Sequence, residues 1–218
     1  MHNNEESAIP NLNTNFQEAD TAIPLHVLNC FNSGYEKVLV LSNDTDIDVT
    51  LLYYIPVFLQ HGMKELWMQA GAGLASRYIP LHILYSKMGS DLCAVLPALY
   101  TLTGCDSTSK VGTKKAALES NAESLLVEFG KHPILSESIS QQAEKYLVNV
   151  IKKNSVSETF TDLRKEIYKS SISVTHLDLP PTSEGLLPHI QRSHYNTYIY
   201  LTQGTLHNTY QHWTMTTR

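Results

Sequence analysis

The sequence predicts an α/β protein, with a core built on a parallel sheet and a long run of helices after it. Three observations carry this reading. Residues 37–41, KVLVL, form a short β-rich apolar run between an Asn-Ser-Gly turn and the acidic stretch SNDTDID. Such a run marks a parallel-sheet strand buried on both faces. The segments on either side of it carry apolar residues at helical spacing, and from Pro80 onward helical spacing dominates.

Taken in order, residues 1–15 are Asn-rich with an early proline and are expected to be disordered. Ala19, Ile23, Val27 and Cys30 predict a helix from Gln17 to about Cys30, with Pro24 inside it as a kink. Asn32-Ser33-Gly34 is a turn into the strand, and residues 46–60 return to helical spacing. Leu66-Trp67-Met68 and Tyr78-Ile79 flank AGAGLAS and read as a hairpin or a pair of short strands. Two helices follow, ended by Gly89 and Gly104. Shorter helical pieces lie around 113–129, and longer ones near 136–153 and 158–170. Pro180-Pro181 breaks the chain before a last helix from Thr182 to about Tyr200, with Thr or Ser as its N-cap.

The 218 residues suffice for one domain with a sizeable core and a helical extension. Apolar residues make up 42% and charged ones 17%, which excludes a disordered composition. The net charge of −5 is uneven: residues 1–105 hold four Lys/Arg against ten Asp/Glu, so the acidic excess lies in the first half. Net charge therefore lends nucleic-acid binding no support. Cys30, Cys93 and Cys105 are odd in number and lack CxxC spacing, so free thiols in a reducing compartment are expected. The ten histidines show no metal-ligand spacing. No apolar run approaches 18 residues and the N-terminus is polar, so a soluble intracellular chain without a membrane partner or a small-molecule cofactor is expected.

The chemistry concentrates in acidic residues. Asp44, Asp46 and Asp48 occupy alternate positions directly after VLVL. Each carboxylate repels the others, and burial costs solvation energy unless solvent, backbone donors or a cation offsets it. In an open parallel sheet, ligands bind beyond the carboxyl ends of the strands, and two carboxylates there offer hard oxygen ligands to Mg²⁺ or Mn²⁺. Glu18 and Asp20 in QEADT and Asp106 in TGCDSTS are the candidate further ligands. Five carboxylates could ring one or two cations, and two metals suit phosphodiester hydrolysis. Each residue also has an ordinary alternative. Asp44 or Thr45 could cap the next helix, Glu18 and Asp20 could sit in a first helical turn, Asp106 could be an N-cap, and Asp48 is expected to face solvent.

The ordered segments QEADT, VLVLSNDTDI and LYTLTGCDSTSKVGTKKAAL together resemble the internal region of the flap-endonuclease (XPG-type) family, within the PIN-like nuclease superfamily. The resemblance spans about residues 16–120. It implies a PIN-like parallel sheet core at 16–130 with a helix–turn–helix at 104–120, a helical extension at 131–205 and a flexible tail at 206–218. It implies Glu18, Asp20, Asp44, Asp46 and Asp106 as catalytic metal ligands for Mg²⁺ or Mn²⁺, DNA, single-stranded or branched, as the partner, and a nuclear location. Lys110, Gly112, Lys114 and Lys115 would grip a phosphate backbone, with the glycine allowing close backbone approach and the lysines supplying charge. An ordinary solvated helix start is the alternative for that lysine cluster. The last helix, with HIQRSHYNTYIY, resembles mobile-element-associated relatives of this group. Its Tyr195, Tyr198 and Tyr200 are expected to pack on the core. The family begins with a further strand carrying an aspartate, whereas this chain starts about seventeen residues before Glu18. A truncated copy, incomplete at its N-terminus, is therefore expected, with an inactive nucleic-acid- or protein-binding remnant as the alternative to an active nuclease.

Overall fold

The computed structural model describes residues 22–170 and 179–202. The expected disordered segment 1–15 and the tail 206–218 lie outside them. The described residues form a mixed α/β protein that gathers into two compact units, one running up to Ile83 and one from Leu84 to Leu201. All three cysteines are free thiols. No helix among the described residues is long and apolar enough to cross a membrane.

In the first unit the order is α1 (Ile23–Asn32), β1 (Lys37–Leu41), α2 (Thr45–Gln60), β2 (Glu65–Ala70), a 3-10 turn (Gly73–Ala75) and β3 (Arg77–Pro80). The expected start of helix α1 at Gln17 lies outside the described residues. Ala22 is its N-cap, so Pro24 falls in the first turn, where its missing N–H has no helical acceptor to lose, and not mid-helix as a kink. β1 pairs parallel with β2, Leu39 opposite Trp67, through the α2 crossover. β2 pairs antiparallel with β3, Gln69 opposite Tyr78, which makes the expected hairpin and a mixed three-stranded sheet.

One face of this sheet carries the core. Leu66 and Met68 are fully buried with Leu28, Leu51, Ile55 and Phe58, and Phe31 and Phe58 pack with ring centroids 5.6 Å apart. The other face corrects a sequence expectation. β1 is not buried on both sides: Leu39 is 45% and Leu41 69% exposed. β1 is one of the two edge strands of the described sheet, and its apolar run reads the same whether one face or both are covered, because composition does not reveal which face is covered. Lys37 and Glu65, opposite each other on that outer face, form an ion pair at 2.5 Å.

The unit boundary between Ile83 and Leu84 falls within helix α3 (Leu81–Met88). The second unit contains α4 (Ser90–Thr103), α5 (Lys114–Leu118), α6 (Ala122–Leu125), α7 (Glu137–Ile151), α8 (Phe160–Ser170) and α9 (Ser183–Thr202). α4 is the hub: α5, α6 and α7 all pack on it. Tyr146 of α7 is fully buried, and its hydroxyl donates to Ala117 O at 3.1 Å, which ties α7 to α5. Thr182 caps α9 by accepting the Gly185 N–H at 3.2 Å. Of the three tyrosines of α9 expected in the core, Tyr195 is 58% exposed, whereas Tyr198 and Tyr200 are half-buried.

Candidate functional site

The candidate residues fall in three places. Glu18 and Asp20 lie outside the described residues. Asp44 and Asp46 belong to the first unit, and Asp106, Lys110, Gly112, Lys114 and Lys115 to the second.

In the first unit the chain leaves β1 through a loop tied to the end of β2. The Ser42 N–H donates to Gln69 O at 3.1 Å, and the Gly71 N–H donates to Asn43 Oδ1 at 2.6 Å. The Asp44 N–H donates to Ser42 Oγ at 3.0 Å. Asp44 is extended, and its Oδ1 accepts the Asp46 N–H at 3.0 Å, so it is the N-cap of α2. This is the ordinary role weighed for it, and it uses one carboxylate oxygen of two. Asp46 and Asp48 occupy the first turn, where the helix dipole favours negative charge.

Asp48 does not face solvent as expected. It is half-buried, and its Oδ1 is buried without a hydrogen bond. The reason is the wide buried arc of α2, which includes Ile47, Thr50, Leu51 and Tyr54 and leaves no broad wet side near position 48. Burial pushes the carboxyl up to about 6, with Asp44 adding to the rise and the Arg77 guanidinium opposing it. Arg77 was missed in the sequence. It is the first residue of β3, paired with Ala70 at the end of β2, and only the hairpin register brings it near Asp48.

In the second unit, α4 ends at Gly104, whose φ of +108° a side chain would strain and whose Cβ would lie 2.7 Å from Lys110 Cα. The loop 104–113 folds back on the helix end and supplies partners for its terminal carbonyls, which have none inside the helix. Thr108 Oγ1 donates to Thr101 O at 2.7 Å and accepts the Cys105 N–H at 3.0 Å. The Val111 N–H donates to Thr103 O at 3.2 Å. Lys114 Nζ donates to Tyr100 O, Thr103 Oγ1 and Gly104 O at 2.9, 3.0 and 2.7 Å, and stands 3.8 Å from the centroid of the Tyr100 ring. Lys114 thus closes the end of α4 with a charge suited to the negative helix terminus. At Gly112, φ is +69° and a Cβ would run into Val150 Cγ1 of α7, so the glycine serves close packing on that helix. Asp106, Lys110 and Lys115 are exposed. Asp106 and Lys110 line a cavity of about 280 Å³ with Tyr100, Cys105 and Thr108.

Among the described residues no group of three or more His, Cys, Asp and Glu is arranged to hold a metal ion. No family model, curated protein or solved structure matches the chain.

Proposed function

We propose that the chain has a PIN-like, flap-endonuclease-like core and is a divalent-metal-dependent nuclease that hydrolyses phosphodiester bonds in DNA. Asp44 and Asp46, at the carboxyl end of β1, would hold Mg²⁺ or Mn²⁺, with Glu18 and Asp20 as further ligands. The observation that supports this most is the Oδ1 of Asp48, buried without a hydrogen bond in the same helical turn. Burial holds the Asp48 carboxyl at about 6, and the neighbouring Asp44 adds to that rise. A cation beside them offsets that cost. The donors are all hard oxygens, which fits these two ions, and Asp44 has a second carboxylate oxygen beyond the one that caps α2. When bound, the cation supplies positive charge for the attacked phosphodiester. From the chain's own residues, Lys110 and Lys115 would attract the phosphate backbone by charge.

The test is Mn²⁺ titration of the folded chain and of the Asp44→Asn/Asp46→Asn variant. Asparagine keeps the helix cap, so a loss of binding in the variant reads the ligands and not the fold. Equal binding by both would sink the assignment.

A second reading is a nucleic-acid- or protein-binding module without turnover. It is favoured by the structural roles of Lys114 and Gly112, which leave exposed Lys110 in the loop and Lys115 on α5 for an anionic partner.

A further inference from the structure

The second unit contains a polar stripe that neither reading uses. On α9, His189, Ser193, Asn196 and Thr197 follow the i, i+4, i+7, i+8 spacing of one helical face. Ser193 and Thr197 are wholly buried, as is Thr101 of α4. Buried hydroxyls are costly unless bonded, and these converge on the end of α4 and the loop after it. His189 Nε2 donates to Leu102 O at 2.9 Å. Ser193 Oγ donates to Thr101 O at 3.1 Å. Thr197 Oγ1 and Thr101 Oγ1 share a hydrogen bond of 2.7 Å. Asn196 Nδ2 reaches past the helix and donates to Ser107 Oγ at 2.8 Å.

The carbonyls of Tyr100 through Gly104 therefore all have partners: Lys114 for Tyr100 and Gly104, Thr108 with Ser193 for Thr101, His189 for Leu102 and the Val111 N–H for Thr103. Thr101 O is shared between the loop, through Thr108, and α9, through Ser193. A change in α9 is thus felt by the loop at two places, Thr101 O and Ser107.

We propose that α9 is the positioning element of the loop 104–113, with Asn196 and Ser193 as positioning residues that fix the placement of Asp106 and Lys110. The consequence for a ligand rests on the reading of this loop as a DNA contact. On that reading α9 touches no DNA and instead sets the affinity of the loop for a phosphate backbone.

The experiment is a double-mutant cycle on Asn196→Ala and Ser107→Ala in the full chain. It has three readouts: hydrogen exchange of the loop amides, the thermal midpoint, and affinity for a fluorescent single-stranded oligonucleotide. Each single variant should speed exchange of the Thr108 and Val111 amides several-fold while the α7 amides stay unchanged. The double variant should be no faster than Ser107→Ala alone, because that variant already removes the Asn196–Ser107 bond, together with the 3.4 Å contact of Ser107 Oγ with Cys105 Sγ. Oligonucleotide affinity should fall in parallel while the thermal midpoint stays near that of the wild type. Unchanged loop exchange, or effects that add, would overturn the positioning role. If the wild-type chain binds no oligonucleotide, the DNA reading fails, and the exchange cycle still decides the positioning claim.

Discussion

Asp48→Asn should make the protein more stable at neutral pH. Its carboxyl is raised from an ordinary 3.8 to about 6, first by burial, then by Asp44, against the pull of Arg77. A folded value above the unfolded one means that the charged form opposes folding. The cost is absent below about pH 4, grows as pH rises through 6, and is then constant. The full rise corresponds to about 3 kcal/mol. Much of the group still meets solvent, which screens it, and about 1.5 kcal/mol is the better expectation. For a chain of this size that is a gain of about 4 °C in thermal midpoint. The assay is a series of thermal melts of both proteins from pH 4 to 8 with a chelator present. The variant should melt higher at pH 7.5 and level with the wild type at pH 4. Mn²⁺ should shrink the gain at pH 7.5, because a cation offsets the charge that asparagine removes. A variant that loses stability at every pH, or gains as much at pH 4 as at 7.5, would refute the reasoning.

Other substitutions separate structural from exposed groups. Lys114→Ala removes three charge-assisted hydrogen bonds at the end of α4 and should cost about 2 kcal/mol in urea unfolding, whereas Lys110→Ala should stay within about 0.5 kcal/mol. His194 is buried, accepting the Gly130 N–H at Nδ1 and donating from Nε2 to His132 O. Burial lowers its pKa, with the His132 charge in the same direction and the His132 carbonyl opposing. The unfolded chain therefore takes up a proton that the folded chain resists as pH falls below about 6.5. The gap in thermal midpoint between wild type and His194→Gln should narrow from pH 7.5 to pH 5.5. Glu166 is held down to about 2 by Lys152 and then by Ser155 and Ser157. Its contribution is present above about pH 4.5 and is lost as pH falls from there toward 2, so Glu166→Gln should lower the thermal midpoint at pH 7 and be indistinguishable from wild type near pH 2.

What could be read from the sequence was local. Lys37–Leu41 emerges as a strand with the expected ends, and Gly89 and Gly104 bracket α4, because β-branched runs and glycine punctuation are properties of neighbouring residues. Facing was not legible. KVLVL has apolar residues on both faces whether or not both are covered, so the exposure of Leu39 and Leu41 left no trace in composition. Asp48 looked like one more solvated acid because its burial depends on the wide packed arc of α2, and its partner Arg77 is set by a hairpin register. Lys114 looked like a free cation because its acceptors, Tyr100 O and Gly104 O, come into reach only when the loop folds back. The polar stripe on α9 was missed in the sequence, because a polar helix face reads as solvated until α4 is placed against it.

In the proposed function, the carboxylates after β1 support metal-dependent phosphodiester cleavage. The most direct test is hydrolysis of fluorescently labelled single-stranded and flap DNA by the folded chain, with Mg²⁺ or Mn²⁺, beside the Asp44→Asn/Asp46→Asn variant. Cleavage that needs the metal and is lost in the variant is the expected result. A chain shown to be folded that leaves both substrates intact, or a variant that cleaves as fast as the wild type, would contradict it.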